Sequence, residues 1–162
     1  MAMTTFVGQN VGANRMDRVE EGTKNGLKLG IGTAIVLVLC LIFFGVYLIE
    51  LFTQTEALID LSVQMLRLLA VGYIAMAVTQ ILSGAMRGAG DTVSPMWISL
   101  VTTVVIRVPI AYLLAFLTRN EARPNGEPYA LFLSMLISWV MGAVITVIVF
   151  RRGKWKNKAI IH

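Results

Sequence analysis

The sequence predicts an all-α, polytopic membrane protein with four transmembrane helices, on three observations. Hydrophobic residues make up 57% of the 162 positions and charged residues only 14%, against about 45–50% and 25% in an ordinary soluble domain. The apolar residues fall in four long blocks rather than in stripes, and four such blocks cannot all be buried in a soluble fold of this length. In lipid every backbone amide has to be paired within the protein, so spanning segments are helices or a closed barrel. The alternating segments of about ten residues that mark a barrel are absent. Mean hydropathy is +0.76. Four prolines and one cysteine also set aside collagen-like and disulfide-framework classes.

The first span is expected over residues 27–49, interrupted only by Lys28. Its length of about 34 Å crosses a hydrocarbon core of roughly 30 Å. It is too long for the core of a secretory signal, and both acidic and basic residues precede it. Residues 1–14 ahead of it are mildly apolar and glycine-bearing and read as the tail of a helix. The second span, over 58–86, carries Arg67 at one end and Thr79 and Gln80 near the other. The third, over 95–117, contains Arg107 and Pro109, and the fourth, over 129–150, is free of charge. Together they form one transmembrane domain over residues 1–162, with no soluble domain.

Punctuation fits these spans. Ser94 is the expected N-cap before Pro95, with Asp91 or Thr92 as alternatives; Pro128 opens the fourth span after the polar loop Thr118 to Glu127, and Gly153 closes it. Trp97 and Trp155 are placed near one membrane interface and Tyr47 and Tyr129 near the other, while Trp139 sits mid-span and is expected to pack against another helix. Gly26 with Gly30, and Gly8 with Gly12, have the spacing of close helix packing.

Basic residues set the orientation. Ten of the 14 Lys and Arg fall at one end: Arg15, Arg18, Lys24, Lys28, Arg87, Arg151, Arg152, Lys154, Lys156 and Lys158. The other end has only Arg119 and Arg123, beside Glu50, Glu56 and Asp60. An even number of spans then puts both termini in the cytoplasm of a plasma-membrane protein. The net charge of +5 and the pI near 9.7 follow from this asymmetry. A nucleic-acid partner is not expected, because a basic folded face with aromatic readers is missing.

Candidate transport or gating residues are Arg107, Pro109, Gln80 and Thr79. A charge 12 residues into a span is costly unless it finds a partner or reaches the interface, and Pro109 removes a helical hydrogen bond and crowds the carbonyl of Val105. Arg107 either faces an interior on a moving helix or snorkels outward from a merely bent one. Thr79 and Gln80 either line a polar cavity or hydrogen-bond across helices. The stretch Ser83 to Thr92 reads as a short, tightly specified loop at the basic end, with Arg87, Gly88, Gly90 and Asp91 as a candidate cytoplasmic hinge. No catalytic, metal or cofactor site is expected: His162 is the only histidine, Cys40 is alone in a span, and acidic residues show no ligand spacing.

Three stretches carry a resemblance. Phe6-Val-Gly-Gln-Asn-Val-Gly-Ala-Asn-Arg-Met-Asp-Arg18 resembles a cytoplasmic segment of the multidrug and toxic compound extrusion (MATE) transporters. Gln80-Ile-Leu-Ser-Gly-Ala-Met-Arg-Gly-Ala-Gly-Asp-Thr-Val-Ser-Pro95 is similar to the link between their tenth and eleventh spans, and Arg107-Val-Pro-Ile-Ala-Tyr-Leu113 fits the continuation. The resemblance implies the last four helices of the C-terminal lobe of a twelve-helix, two-lobed transporter, with residues 1–14 ending the eighth span. It implies antiport of small organic or cationic drugs in exchange for protons or sodium ions, with the missing remainder of the transporter and the lipid bilayer as partners. The apolar block of the span matching the tenth, residues 66–82, has no carboxylate, so the coupling acid is expected outside this chain. Two alternatives stay open: a transporter like the lipid-linked oligosaccharide flippases, for which Arg107 would meet phosphate, and a non-transporting four-helix protein that packs with a partner.

Overall fold

A computed structural model describes residues 2–120, 123–124 and 126–158. His162 and part of the loop between residues 118 and 127 lie outside the described residues. Among the described residues there are helices and a lone bridge between Asn120 and Arg123, but no strand. Helix α1 (Ala2–Gly12) is followed by α2 (Met16–Glu50) and α3 (Glu56–Gly88). A third rod is built from α4 (Val93–Leu100), a π-helical stretch (Val101–Ile106) and α5 (Arg107–Leu117), and α6 (Pro128–Arg151) is followed by a short 3-10 turn, Lys154–Lys158. Four rods, Met16–Glu50, Glu56–Gly88, Val93–Leu117 and Pro128–Arg151, are long and apolar enough to cross a membrane. In the most apolar part of Val93–Leu117 only 6% of the residues are buried within the chain. Such a surface needs apolar surroundings that water does not supply.

The rods pack in the lateral order α2, α3, α6, α5, with α1 laid across α2 and α3. Asn14, at φ 54°, turns the chain from α1 into α2, a left-handed conformation that asparagine tolerates better than most residues. Close approach elsewhere depends on small residues. A Cβ on Gly72 of α3 would stand 2.6 Å from the Trp139 ring of α6, and Trp139 also meets Tyr73 with ring centroids 5.7 Å apart. Gly26 and Gly30 make room for Met3 and Ile81, whereas Gly12 has nothing within 4 Å. The expected close contact at Gly12 is therefore absent, and Gly8 alone approaches α3, at the Gly88 carbonyl.

The tightest core lies at the basic end. Val7, Val19, Ala85, Met86, Ala89, Ile98 and Trp155 form one buried cluster. Trp155 does not face the membrane interface: it is 1% exposed, because Gly153, at φ 70°, ends α6 and folds the chain back. The Trp155 indole N–H donates to the Phe150 carbonyl at 2.9 Å, and its ring stacks on Phe150 at 4.8 Å. Burying an indole this way satisfies its one donor while removing a large apolar surface from solvent. Trp97, Tyr47 and Tyr129 remain exposed.

The link between α3 and α4 is shorter than the glycine pattern suggests. The stretch from Ser83 to Gly88 is helical, and only residues 89–92 form the connection. Thr92 is the N-cap of α4, but the capping side chain is Asp91. Its carboxylate accepts from the Ser94 backbone N–H at 3.2 Å and from the Ser94 hydroxyl at 2.6 Å. Ser94 is thus a first-turn residue and not the cap. Pro128 occupies the first position of α6 after Glu127, where its missing N–H costs nothing.

Candidate functional site: a polar cleft beside a π-helical stretch

Pro109 shapes the third rod. It has no N–H to give and its ring crowds the carbonyl four residues back, Val105. The chain resolves this by widening the preceding helix rather than by a simple kink: residues 101–106 are π-helical, and the Arg107 N–H donates to the Thr102 carbonyl, five residues earlier. Widened turns of this kind accommodate one extra residue and redirect the side chains beyond it. The Thr102 hydroxyl, buried against α6, donates back to Ile98 at 2.8 Å.

A cleft of about 180 Å³ opens where this stretch faces α3 and α6. Thr79, Gln80, Ser83 and Arg87 line it from α3, Ser99, Thr102 and Thr103 from the third rod, and Ser138, Trp139 and Gly142 from α6. Three hydroxyl protons are used within their own helices: Thr79 donates to Ala75 at 3.0 Å, Thr102 to Ile98 at 2.8 Å and Ser138 to Met135 at 2.9 Å. Their oxygens stay available as acceptors, while Arg87 and Gln80 supply the donors. The cleft is thus a small polar chamber among apolar helices, with a guanidinium at its basic end and no carboxylate in its lining.

Two grooves flank it. One, of about 740 Å³ between α5 and α6, is lined by Arg107 with Thr103, Ala111, Tyr112, Phe132 and Met135. Thr103 borders both this groove and the cleft. The other, of about 620 Å³ between α2 and α3, is almost wholly apolar, and Gln80 borders both it and the cleft. Thr79, Gln80 and Arg87 therefore share one chamber, and Arg107 lies in the next. Pro109 lines neither. Gly88, Gly90 and Asp91 sit in the packed joint beneath the cleft, where Gly90 adopts φ 89° and Asp91 is 2% exposed.

The α6 lining was missed in the sequence, although a signal exists. Ala130, Ser134, Ser138, Gly142 and Thr146 recur every four residues and are all buried, a small-residue stripe inside a run that reads as uniformly apolar.

Two ion pairs lie at the basic end. Arg15 and Asp17 pair at 2.8 Å; the hydrogen bond from Arg15 holds the Asp17 carboxyl down at about 2 and raises the guanidinium above its usual value. Lys156 forms an ion pair with Glu20, linking the 3-10 turn to α2, and this lowers the Glu20 carboxyl.

An all-helical membrane protein with a polar chamber between its central rods is the class that fold and site define. The family model described as MatE matches residues 1–113, and the chain belongs to that family. It is similar to a probable multidrug resistance protein, NorM, of Thermotoga maritima, 22% identical over 99% of this chain and 33% of the relative. The probable multidrug resistance protein YoeA of Bacillus subtilis is 27% identical over 85% of the chain and 30% of the relative. A NorM of Acinetobacter baylyi is 36% identical over 70% of the chain and 26% of the relative. The chain spans about a third of the length of the curated relatives it matches.

Proposed function

We propose that the chain is the C-terminal part of a secondary transporter that exports small organic or cationic solutes across the plasma membrane in exchange for protons or sodium ions. The observation that carries this reading is the polar chamber: Thr79, Gln80 and Arg87 meet Ser99, Thr102 and Ser138 inside helices otherwise suited to lipid. Polar groups at such depth are costly and are kept where they serve a path or an interface between helices. The names of the relatives, multidrug resistance proteins, agree with it. In this reading the chain supplies helices nine to twelve, and the basic end, with both termini, faces the cytoplasm. Residues 87–91 form the hinge at that face, and the π-helical stretch with Arg107 and Pro109 is the element that moves. The lining of the cleft and its two neighbours contains no acid, so ion coupling falls to the remainder of the transporter.

The test is a chimera in which these 162 residues replace the matching third of the Bacillus subtilis relative. Drug-sensitive cells making it are expected to export ethidium, and cells making the 162-residue chain alone are not. Insertion of the chimera at normal levels without efflux, or efflux by the chain alone, contradicts the proposal.

A further inference from the structure

We propose that the groove between α5 and α6 is a binding site for an acidic single-chain amphiphile, its carboxylate or phosphate held by Arg107 and its apolar body lying along Ala111, Phe132 and Met135. The inference concerns the groove itself and does not depend on drug export. Four observations point to it. The groove encloses about 740 Å³, within the range of small-molecule sites. Its walls are mostly apolar, with the charge of Arg107 beside Thr103 and only Tyr112 and Ser134 polar among the rest, the Ser134 hydroxyl donating to the Leu131 carbonyl within its own helix; this is the division of an amphiphile. Arg107 is half-buried and takes part in none of the ion pairs among the described residues. Its depth then decides the sign of the occupant.

Arg107 stands in a membrane-crossing rod of 25 residues, Val93–Leu117, about 21 Å from one end and about 15 Å from the other at 1.5 Å per residue. A guanidinium pairs a carboxylate or phosphate through two parallel N–H donors, so the groove favours a ligand that brings an opposite charge to it and rejects one that brings the same charge. A bilayer lipid keeps its head group at the interface, so a single-chain acid, able to sink its head into the groove, is the better match.

The experiment places the 162-residue chain in phosphatidylcholine nanodiscs with a photoreactive diazirine analogue of palmitate, and in parallel with the matching long-chain amine. The carboxylate probe is expected to label residues 108–115 and 131–135, and the amine is not. Arg107→Gln should lower that labelling about tenfold, the loss of one charge-assisted contact, with Arg107→Lys retaining part of it. Labelling in the α2–α3 groove, which lacks Arg107, should be unchanged by either variant and shows that the fold survives. Equal labelling by acid and amine would mean that bulk lipid fills the groove. Labelling by neither would leave the groove to other protein helices. Labelling that Arg107→Gln leaves intact would detach the site from the charge. Each of these three results overturns the proposal.

Discussion

Gly88 of α3 touches the backbone of Thr4 in α1: a Cβ on Gly88 would stand 2.6 Å from the Thr4 carbonyl oxygen and 2.8 Å from the Val7 side chain. The obstacle is backbone, which has no rotamer to yield. Gly88→Ala is therefore expected to push α1 away from α3 and lower stability by about 1–3 kcal/mol. Gly12→Ala, with open space around it, is the control and should leave the thermal midpoint in detergent unchanged or slightly raised. Equal midpoints for the two variants would show that α1 is not clamped there.

Trp155 closes the same joint from the other side. Trp155→Ala removes a stacked, hydrogen-bonded indole that is 1% exposed and is expected to cost about 3–5 kcal/mol. Trp155→Phe keeps the stacking and gives up the N–H, for a loss of about 1 kcal/mol. Thermal unfolding followed by near-UV circular dichroism separates the two. Similar small losses for both variants would place the ring outside the core.

Asp91 caps α4 through Ser94. Asp91→Ala should cost about 0.5–2 kcal/mol and Asp91→Asn less, since the amide oxygen still accepts. Hydrogen exchange at the Ser94 amide reads the effect locally and should speed up in the alanine variant. Unaltered exchange there would remove the cap from the account.

In a complete transporter, Arg107→Ala is expected to lower efflux about tenfold while membrane-inserted protein falls by much less. Pro109→Ala removes the cause of the π-helical stretch, so residues 101–106 should return to regular α-helix and turn Arg107 away from its groove. Normal drug resistance in both variants would exclude a part for this helix in transport.

The pH response should come from the basic end. The Asp17 carboxyl, at about 2, and the lowered Glu20 carboxyl both favour the folded state above their unfolded values, near 4. That contribution is lost as pH falls through the folded values, so it is constant from pH 7 to 5 and declines below about pH 4. Both pairs are exposed, and the decline should be small and weaker at high salt. Glu20→Gln should flatten its share of the melting-temperature curve below pH 4 and leave the neutral region nearly unchanged.

The four-rod helical class was legible because lipid imposes its pattern on composition: no soluble arrangement accommodates four apolar runs in this length. Pro128 and Gly153 were legible too, as each has a local conformational reason to stand at a helix end. Pro109 announced a disturbance but not its form, because a missing N–H can be absorbed by a kink or by a widened turn. Trp155 read as an interfacial anchor beside its lysines; its burial depends on Val7 and Val19, far away in sequence. Of the chamber, Thr79 and Gln80 stood out as polar residues in an apolar run. Ser138 and Gly142 did not, since small residues are unremarkable until a neighbouring helix lies against them.

The joint at the basic end has a consequence for biosynthesis. Val7 of α1 and Val19 at the head of α2 precede the apolar runs and Trp155 follows α6, yet they share one buried cluster. As the chain emerges from the ribosome, the two valines have no indole to pack on until α6 has been threaded. Insertion of the rods between them is thus registered at a single place, where the cluster closes only when α2, α3 and α6 stand side by side.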